Sequence, residues 1–458
     1  MLVLAGQYRQ GEHYETLTEE RTEFVSSQLG WRLETNFASP LFSADPGQPG
    51  RKRQPRQWQL GWLLAYAAIL MAWDDGESLA DRFASARAAV TAMFPSRRRV
   101  GKTYQGFIAA LTLSGAFLLD QIAQHLRQQT RQMDCCWRQL GVLAFAVDGS
   151  RAECPRTAAN EKELGCAGKK KTGPQLSLTT IYHMGSGSVW DYRIGPGTDS
   201  ERTHLRAMLA TLPPEATLVA DAGFIGYDLL REILCSGRHV LFRVGSNVTL
   251  LKNLGYAQVQ GDSTVCLWTS KAQKDNSPPL ALRLIVMHSG RNPVYLVTDV
   301  LAENALPPAT AGALYRMRWG IEIFYRSLKQ TLRHRKMRSE APRQARMELA
   351  WAVTGLWVLS ILGVQAIVVR GKSPLSLSVA MALRAVRQEM AGHADRRGAL
   401  QSRLSAAFKD CYVRKGGKSA RDWPHKKTER PPGPPKIQQA KSEQVQHAQE
   451  LFERKTAA

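Results

Sequence analysis

The sequence lacks the cysteine patterns that stabilise secreted proteins or bind zinc. Its 458 residues contain seven Cys, an odd number, and no two of them form a CxxC pair. The adjacent Cys135 and Cys136 do not easily satisfy the geometry of a disulfide with each other. These features argue against a disulfide framework and a zinc site, so we expect reduced thiols and a cytoplasmic protein.

Signal sequences and long hydrophobic runs are also scarce. The first ten residues, MLVLAGQYRQ, have no basic region before a short apolar run, unlike a signal peptide. The stretch from Leu349 to Val369 has the length of a bilayer span and no formal charge, but it contains Thr354, Ser360 and Gln365. We interpret it as a buried core helix and expect no membrane association, with a membrane anchor as a remote alternative.

Acidic residues are too few to balance the basic ones. The chain has 62 Lys+Arg against 39 Asp+Glu, which gives a net charge of +23. Such an excess favours a polyanionic partner, nucleic acid before an anionic membrane. The excess is absent from residues 1–50 and begins in basic clusters at 51–56 and 97–102. Helical periodicity between these clusters predicts a helical DNA-binding region over 1–140, with an ordinary solvated surface as the alternative.

From residue 141 the pattern changes to apolar runs of strand length, interleaved with helical stretches. One run, 141–147, ends at Asp148-Gly149, and another, 216–220, ends at Asp221-Ala-Gly223. Sites in open α/β sheets assemble at strand ends, so Asp148 and Asp221 are candidate functional residues. Taken alone, each Asp-Gly pair is more often an ordinary turn.

A long helix predicted over about 310–335 changes that balance. Between Leu314 and Arg346 there are ten Lys+Arg and two acidic residues, whereas a solvated helix normally intersperses its charges. At about 100° per residue, one stripe of about 80° carries a tyrosine, a single acid and four cations. This stripe predicts contact with phosphates, and its acid is left for a metal ion. Its members are Tyr315, Arg318, Glu322, Arg326, Lys329 and Arg333.

Three carboxylates thus become candidate metal ligands: Asp148, Asp221 and Glu322. Oxygen ligands without His or Cys suit Mg²⁺ or Mn²⁺. Two such ions about 3.5–4 Å apart activate a water or a 3′-hydroxyl and stabilise the leaving oxygen of a phosphodiester. The residues therefore predict metal-dependent phosphoryl transfer on nucleic acid.

The same residues resemble a known family. Tyr315-x2-Arg318-x3-Glu322-x6-Lys329 resembles the YREK signature of DDE transposases of the insertion-sequence-four family. Asp148-Gly-Ser and Asp221-Ala-Gly-Phe resemble the first and second aspartate motifs of that family, in the expected order. The longer gap between Asp221 and Glu322 fits the β-rich insertion that family members carry there.

The resemblance implies an RNase H-like catalytic core that cleaves DNA at the terminal inverted repeats of a transposon and joins the ends to target DNA. It implies a homodimer on double-stranded DNA. Asp148, Asp221 and Glu322 would be catalytic residues and ligands of two Mg²⁺ or Mn²⁺ ions. Tyr315 and the basic residues of the stripe would contact DNA.

Two further positions follow from the resemblance. Some members place a second lysine four residues after the glutamate, and here that position is Arg326, which keeps the charge with a different contact geometry. Some members use an aromatic residue of the insertion to capture a flipped base. Trp268 is the candidate for this role, with a packed sheet aromatic as the alternative.

We therefore expect an α/β fold class with a helical flank on each side of an RNase H-like mixed sheet. As the alternative function, a catalytically inactive or domesticated transposase derivative would bind DNA without cutting it. The expected division is a helical region at 1–140, the catalytic core at 141–245, the β-rich insertion at 246–305, the glutamate helix at 306–345, C-terminal helices at 346–410 and a basic, disordered tail at 411–458.

Overall fold

The computed structural model divides the chain into two compact units, each built from three separate segments. The first unit takes its residues from Met1–Gln132, Ala152–Leu176 and Tyr325–Lys409, and the second from Met133–Arg151, Ser177–Phe324 and Asp410–Ala458. The residues described are 33, 61–94, 100–166, 173–256, 263–288, 292–392, 399–409 and 433–457. The basic residues 51–56 and 97–99 lie outside them.

The strands form one mixed sheet of ten strands in the order β10-β6-β7-β8-β9-β5-β4-β1-β2-β3. Three central strands, β1, β4 and β5, run parallel, and β5, β9, β8, β7 and β6 pair antiparallel in turn. The strands are β1 (Ala144–Glu153), β2 (Gln175–His183), β3 (Ser188–Pro196), β4 (Thr217–Ala220), β5 (His239–Val244), β6 (Thr249–Lys252), β7 (Thr264–Leu267), β8 (Leu280–Met287), β9 (Val294–Thr298) and β10 (Lys436–Gln439).

This arrangement confirms the expected fold class. The order β3-β2-β1-β4-β5 is the RNase H-like core, and the predicted insertion supplies β6 to β9. The insertion extends the core sheet, because β9 pairs with β5 along Leu241 to Val244. Residues 144–147 of β1 and all of β4 are buried, as their unbroken apolar sequences predict for strands covered on both faces.

Helices make up most of the first unit and flank the sheet in the second. The helices are α1 (Gly61–Trp73), α2 (Leu79–Met93), α3 (Tyr104–Arg131), α4 (Asp134–Trp137), α5 (Ala158–Leu164), α6 (Glu201–Met208), α7 (Tyr227–Cys235), α8 (Ser270–Lys274), α9 (Pro308–Met317), α10 (Trp319–Arg326), α11 (Pro342–Val368), α12 (Val379–Met390), α13 (Ala399–Ser405) and α14 (Ser442–Ala457).

The centre of the first unit is α11, which packs against α1 and α3. Gly355 lets α1 approach closely, since a Cβ there would lie 2.9 Å from that of Ala72, and Trp73 Nε1 donates to the Gly355 carbonyl at 2.8 Å. By length and composition, α3 and α11 are both apolar enough to cross a membrane. In α11, 89% of the most apolar window is buried within the protein, so the interpretation as a core helix is confirmed.

Two expectations need correction. The helix predicted over 310–335 is not continuous: α9 ends at Met317, α10 begins at Trp319, and a π-helical turn occupies Ser327–Thr331. The tail predicted to be disordered over 411–458 contains β10 and α14. In β10, backbone pairing with β6 from Lys436 to Gln439 orders a sequence that has little apolar character of its own.

Candidate active site

Adjacent parallel strands bring the two aspartates to the same edge of the sheet. The last paired residues of β1 and β4 are Val147 and Ala220, and Asp148 and Asp221 follow them directly. Neighbouring strands lie about 4.8 Å apart, so the two carboxylates start from neighbouring backbone positions. Asp148 is inside β1 and does not end it, because the strand continues to Glu153. The turn expected at Asp148-Gly149 is therefore absent.

Hydrogen bonds to the local backbone orient both carboxylates. Asp148 Oδ1 accepts the N–H of Gly149 at 2.8 Å, and Asp221 Oδ1 accepts the N–H of Gly223 at 2.8 Å. The second bond closes a small turn in which the side chain of Asp221 replaces a backbone acceptor. At Gly149 a side chain would not fit, because an added Cβ would overlap the carboxyl of Glu201.

The glutamate lies in the first turn of α10. A close helix–sheet approach positions that turn, because a Cβ on Gly320 would lie 2.9 Å from the ring of Tyr182 on β2. Glu322 is partly exposed, and its Oε1 accepts a hydrogen bond from Arg318 Nη2 at 3.0 Å.

Arg318 links the glutamate to the first aspartate. Its Nη1 lies 3.6 Å from Asp148 Oδ2, while its Nη2 binds Glu322. The guanidinium is buried, and its Nε has no hydrogen-bond partner among the described residues. One buried cation therefore neutralises two of the three predicted ligands. Its Nε–H makes no hydrogen bond to a described residue.

The electrostatics of Asp148 reflect a crowded acidic site. Burial raises the pKa of this carboxyl to about 6, and repulsion by Asp221 and Glu201 adds to the rise. The Gly149 N–H and Arg318 oppose the shift by stabilising the charged form. A carboxylate perturbed in this way marks a site where added positive charge binds favourably.

Tyr315 completes the cluster from the last turns of α9. The guanidinium of Arg318 lies over its ring, 5.7 Å from the centroid. Burial raises the pKa of Tyr315, while Arg318 and a side-chain hydrogen bond with Arg243 on β5 oppose that rise. The structure thus brings together five of the predicted site residues: Asp148, Asp221, Tyr315, Arg318 and Glu322.

The remaining cations of the predicted stripe belong to the first unit. Arg326 is exposed at the end of α10, and Lys329 is half-buried in the π-helical turn. Burial lowers the pKa of Lys329, Arg335 lowers it further and Glu153 raises it. Arg333 lies past the helical segment with φ of 60°, so its predicted place on one helical stripe with Glu322 is wrong.

Trp268 does not offer a ring to a base. It follows β7, is 4% exposed, and its Nε1 donates to the Ser277 carbonyl at 2.7 Å. The ring of His447 packs 5.1 Å from it. The flipped-base role expected for Trp268 is therefore corrected to that of a packed aromatic, because burial leaves no free face.

The structure adds three residues near the site that sequence reasoning missed. Arg243 is a cation on β5, whose four central and last residues are otherwise apolar, and Glu201 adds a carboxylate from α6. Trp319 is 60% exposed at the start of α10, three residues before Glu322. Of the three, only Trp319 could have been singled out from the sequence. It lies beside the charged stripe and off the apolar face of the predicted helix, where a tryptophan is unexpected.

The fit to a metal ion depends on Arg318. Within the described parts of the chain, no three His, Cys, Asp or Glu side chains converge on a point that would hold an ion. The donor chemistry nonetheless fits a hard divalent cation, because the oxygens of Asp148 and Glu322 already share a positive group. A divalent cation and the guanidinium would compete for these oxygens.

A family model matches the part of the chain that contains these residues. Residues 142–358 match the family model described as a transposase DDE domain. The transposase InsG for insertion sequence element IS4 of Escherichia coli (strain K12) is 25% identical over 226 residues, which cover 46% of this chain and 50% of that protein. The chain thus spans about half the length of this curated relative.

A solved structure, the piggyBac transposase synaptic complex with hairpin DNA, matches 85% of this chain and 84% of its own chain. The sequence identity is 11% and the TM-score is 0.38.

Proposed function

We propose that this chain is a DNA transposase of the insertion-sequence-four type, because residues 142–358 match the transposase DDE domain model and the IS4 transposase InsG is 25% identical over 226 residues. It cleaves DNA at the terminal inverted repeats of a transposon and joins the ends to target DNA. The observation that carries this proposal is that Arg318 pairs with both Asp148 and Glu322, while Asp221 follows the strand that pairs with the strand of Asp148. No observation favours the alternative of a protein that only binds DNA.

The carboxylates supply the metal-binding half of the proposal. Asp148, Asp221 and Glu322 would hold Mg²⁺ or Mn²⁺, two ions per site, which supply Lewis-acid chemistry at a phosphodiester. The raised pKa of Asp148, about 6, leaves this carboxylate mostly ionised at neutral pH and so ready to bind a cation. Its hydrogen bond with Gly149 fixes one oxygen of the side chain.

The cations supply the DNA-binding half. No described residue accepts a hydrogen bond from the buried Nε–H of Arg318, and a phosphate oxygen would satisfy it. Tyr315 and Arg243 lie beside it, and Arg326, Lys329 and Arg333 add positive charge on the following segment. The exposed ring of Trp319 suits stacking on a base next to the cleaved bond.

We further propose that the partner is double-stranded DNA, both the transposon ends and the target, and that a homodimer holds the two ends. A cytoplasmic location belongs to the same proposal. Inverted repeats flanking the gene would supply the DNA substrate for its test.

A charge-removing change at the glutamate tests the proposal. We expect Glu322→Gln to reduce strand cleavage at least about 10³-fold, since an amide is a poor ligand for Mg²⁺, and to leave end binding within about threefold. The measurement is Mg²⁺-dependent nicking of a labelled end, beside a gel-shift assay. Glu303→Gln, at an exposed position of the same unit, is the control. Normal cleavage by Glu322→Gln would contradict the proposal.

A further inference from the structure

The loop that begins at Asp221 is held by a side chain from the neighbouring helix. Arg202, the second residue of α6, donates from its Nε to the Gly223 carbonyl at 2.9 Å. The N–H of the same glycine donates to Asp221 Oδ1 at 2.8 Å. Gly223 is therefore bound on both sides, to the arginine through its carbonyl and to the aspartate through its N–H.

A glycine at this position needs such a restraint. Gly223 has no side chain to pack, and glycine has more backbone freedom than any other residue. Fixing its carbonyl also limits the movement of its N–H, which orients the carboxylate of Asp221. The next residue, Phe224, is buried, and its N–H donates to the Asp221 carbonyl at 3.2 Å. That second contact holds the backbone of Asp221, whereas the Gly223 N–H holds its side chain.

The side chain of Arg202 lies along the loop as far as the start of α7. A Cβ on Gly226, the residue before that helix, would lie 3.0 Å from Arg202 Nη1. The absence of a side chain at Gly226 therefore leaves room for the guanidinium, which lies against both ends of the segment 223–226.

The helix that carries Arg202 is itself fixed to the sheet. His204, two residues further along α6, is buried and contacts Thr179 on β2 at 2.9 Å through Nδ1. Its Nε2 contacts Asp199, in the loop before α6, at 3.2 Å. Arg202 therefore projects from a fixed element, and its hydrogen bond ties Gly223 to that element.

We infer that Arg202 is a positioning residue for cleavage, which acts through Gly223 to hold the carboxylate of Asp221 in its reactive orientation. The inference rests on the proposed function, which makes Asp221 a catalytic residue. The other role open to this arginine is a direct contact with a DNA phosphate. That role predicts weaker binding of DNA ends, whereas a positioning role predicts slower cleavage of ends that are already bound.

The first test separates the cleavage rate from DNA affinity in full-length Arg202→Met. Single-turnover cleavage of a labelled end at saturating protein gives the rate of the bound complex, and fluorescence anisotropy gives the affinity. We expect the rate to fall about tenfold or more, the range for groups that orient active-site ligands, and the affinity to stay within about threefold. Cleavage of the bound end at the wild-type rate, including a loss confined to affinity, would overturn the inference.

The second test follows the loop itself, without DNA or metal. Amide hydrogen exchange, measured by mass spectrometry, reports on a peptide that covers residues 221–227. We expect exchange in this peptide to be about two- to tenfold faster in Arg202→Met, as the loss of one hydrogen bond predicts, with β1 and β5 unchanged. Unchanged exchange in the loop, or faster exchange in all of these elements, would overturn the inference.

Arg206→Met is the matched control for both tests. Arg206 lies one turn further along α6 and binds Glu232 of α7 on the surface at 2.6 Å. This variant removes one positive charge from the same helix, as Arg202→Met does, and should keep the wild-type cleavage rate and loop exchange. Equal loss of cleavage from the two variants would assign the effect to charge or to the helix and overturn the inference.

Asp221→Asn separates this inference from the proposed function. If Asp221→Asn abolishes cleavage while Arg202→Met cleaves as the wild type does, the inference fails and the proposed function stands. If Asp221→Asn itself cleaves at the wild-type rate, the proposed function fails.

Discussion

The positively charged segment from Leu314 to Arg346 has two parts, α9 with α10 and then the π-helical turn with the residues after it. The basic side chains of the two parts have different surroundings. In α9 and α10, Arg318 is buried between Asp148 and Glu322, and Tyr315 packs beneath it. In the π-helical turn and beyond, Lys329 is half-buried and Arg333 is exposed. The same excess of positive charge therefore serves two purposes, since one half stabilises carboxylates and the other is available to an external polyanion.

The largest expected difference follows from removing the buried cation. Arg318→Ala should lower cleavage at least about 100-fold, because it takes away a donor to DNA and leaves two carboxylates uncompensated. It should also lower the free energy of unfolding by about 2–4 kcal/mol, as breaking a buried ion pair does. Single-turnover cleavage and urea unfolding measure the two effects. Arg193→Ala, at an exposed position of β3 in the same unit, is the control, and equal effects from the two changes would contradict the special role of the buried cation.

A smaller effect is expected in the second half. Lys329→Ala should weaken binding to DNA ends about tenfold and reduce the slope of log affinity against log salt by about one, because one phosphate contact is lost. Fluorescence anisotropy at several salt concentrations measures both quantities. Arg370→Ala, at an exposed position of the same unit outside the predicted stripe, should change affinity less than about threefold. A salt slope unchanged by Lys329→Ala would contradict its phosphate contact.

Among the carboxylates, removing the charge of Asp148 is expected to raise the free energy of unfolding. The pKa of Asp148 in the folded protein is about 6, above its ordinary value of 3.8, so the fold binds this proton more tightly than the unfolded chain does. The stability contribution of Asp148 therefore falls as pH rises from about 4 to 6. Asp148→Asn removes this penalty and should raise the free energy of unfolding at pH 7 by about 1–3 kcal/mol without metal.

Thermal unfolding across pH 4 to 8 measures this gain. The advantage of Asp148→Asn over the wild type should vanish near pH 4 and shrink when Mn²⁺ is added. A variant less stable than the wild type at pH 7 would show that the charge of Asp148 is well compensated. It would contradict the interpretation that burial and neighbouring carboxylates destabilise this charge.

The sequence predicts the site best where one local pattern carries each residue. Asp148 and Asp221 follow apolar runs of the sequence, and Glu322 stands alone among cations, so a local pattern makes each of them a candidate. The segmented helix escaped prediction because the break at Arg318 and the π-helical turn depend on tertiary packing, which helical periodicity does not record. Glu201 escaped because tertiary folding brings α6 close to Gly149, and no local sequence pattern records that contact.

The wrong expectations for the C-terminal tail and for Trp268 also arise from contacts between separate elements. The strand β10 forms because it pairs with β6, and the two strands are far apart in the chain. The sequence around Trp268 would look the same whether its ring were exposed or buried. Only its contacts with Ser277 and His447 show that the ring is packed. Alternation and periodicity report one element at a time, whereas these features depend on pairs of elements.

The central claim is that the carboxylates of Asp148, Asp221 and Glu322 hold the divalent cation that cleavage requires. Replacing one ligand with a softer one tests it directly, because thiolates bind Mn²⁺ far better than Mg²⁺. The measurement is strand cleavage by Asp148→Cys in each metal. The account predicts loss of cleavage in Mg²⁺ and substantial recovery in Mn²⁺, whereas equal activity in both metals, at the level of the wild type, would contradict it.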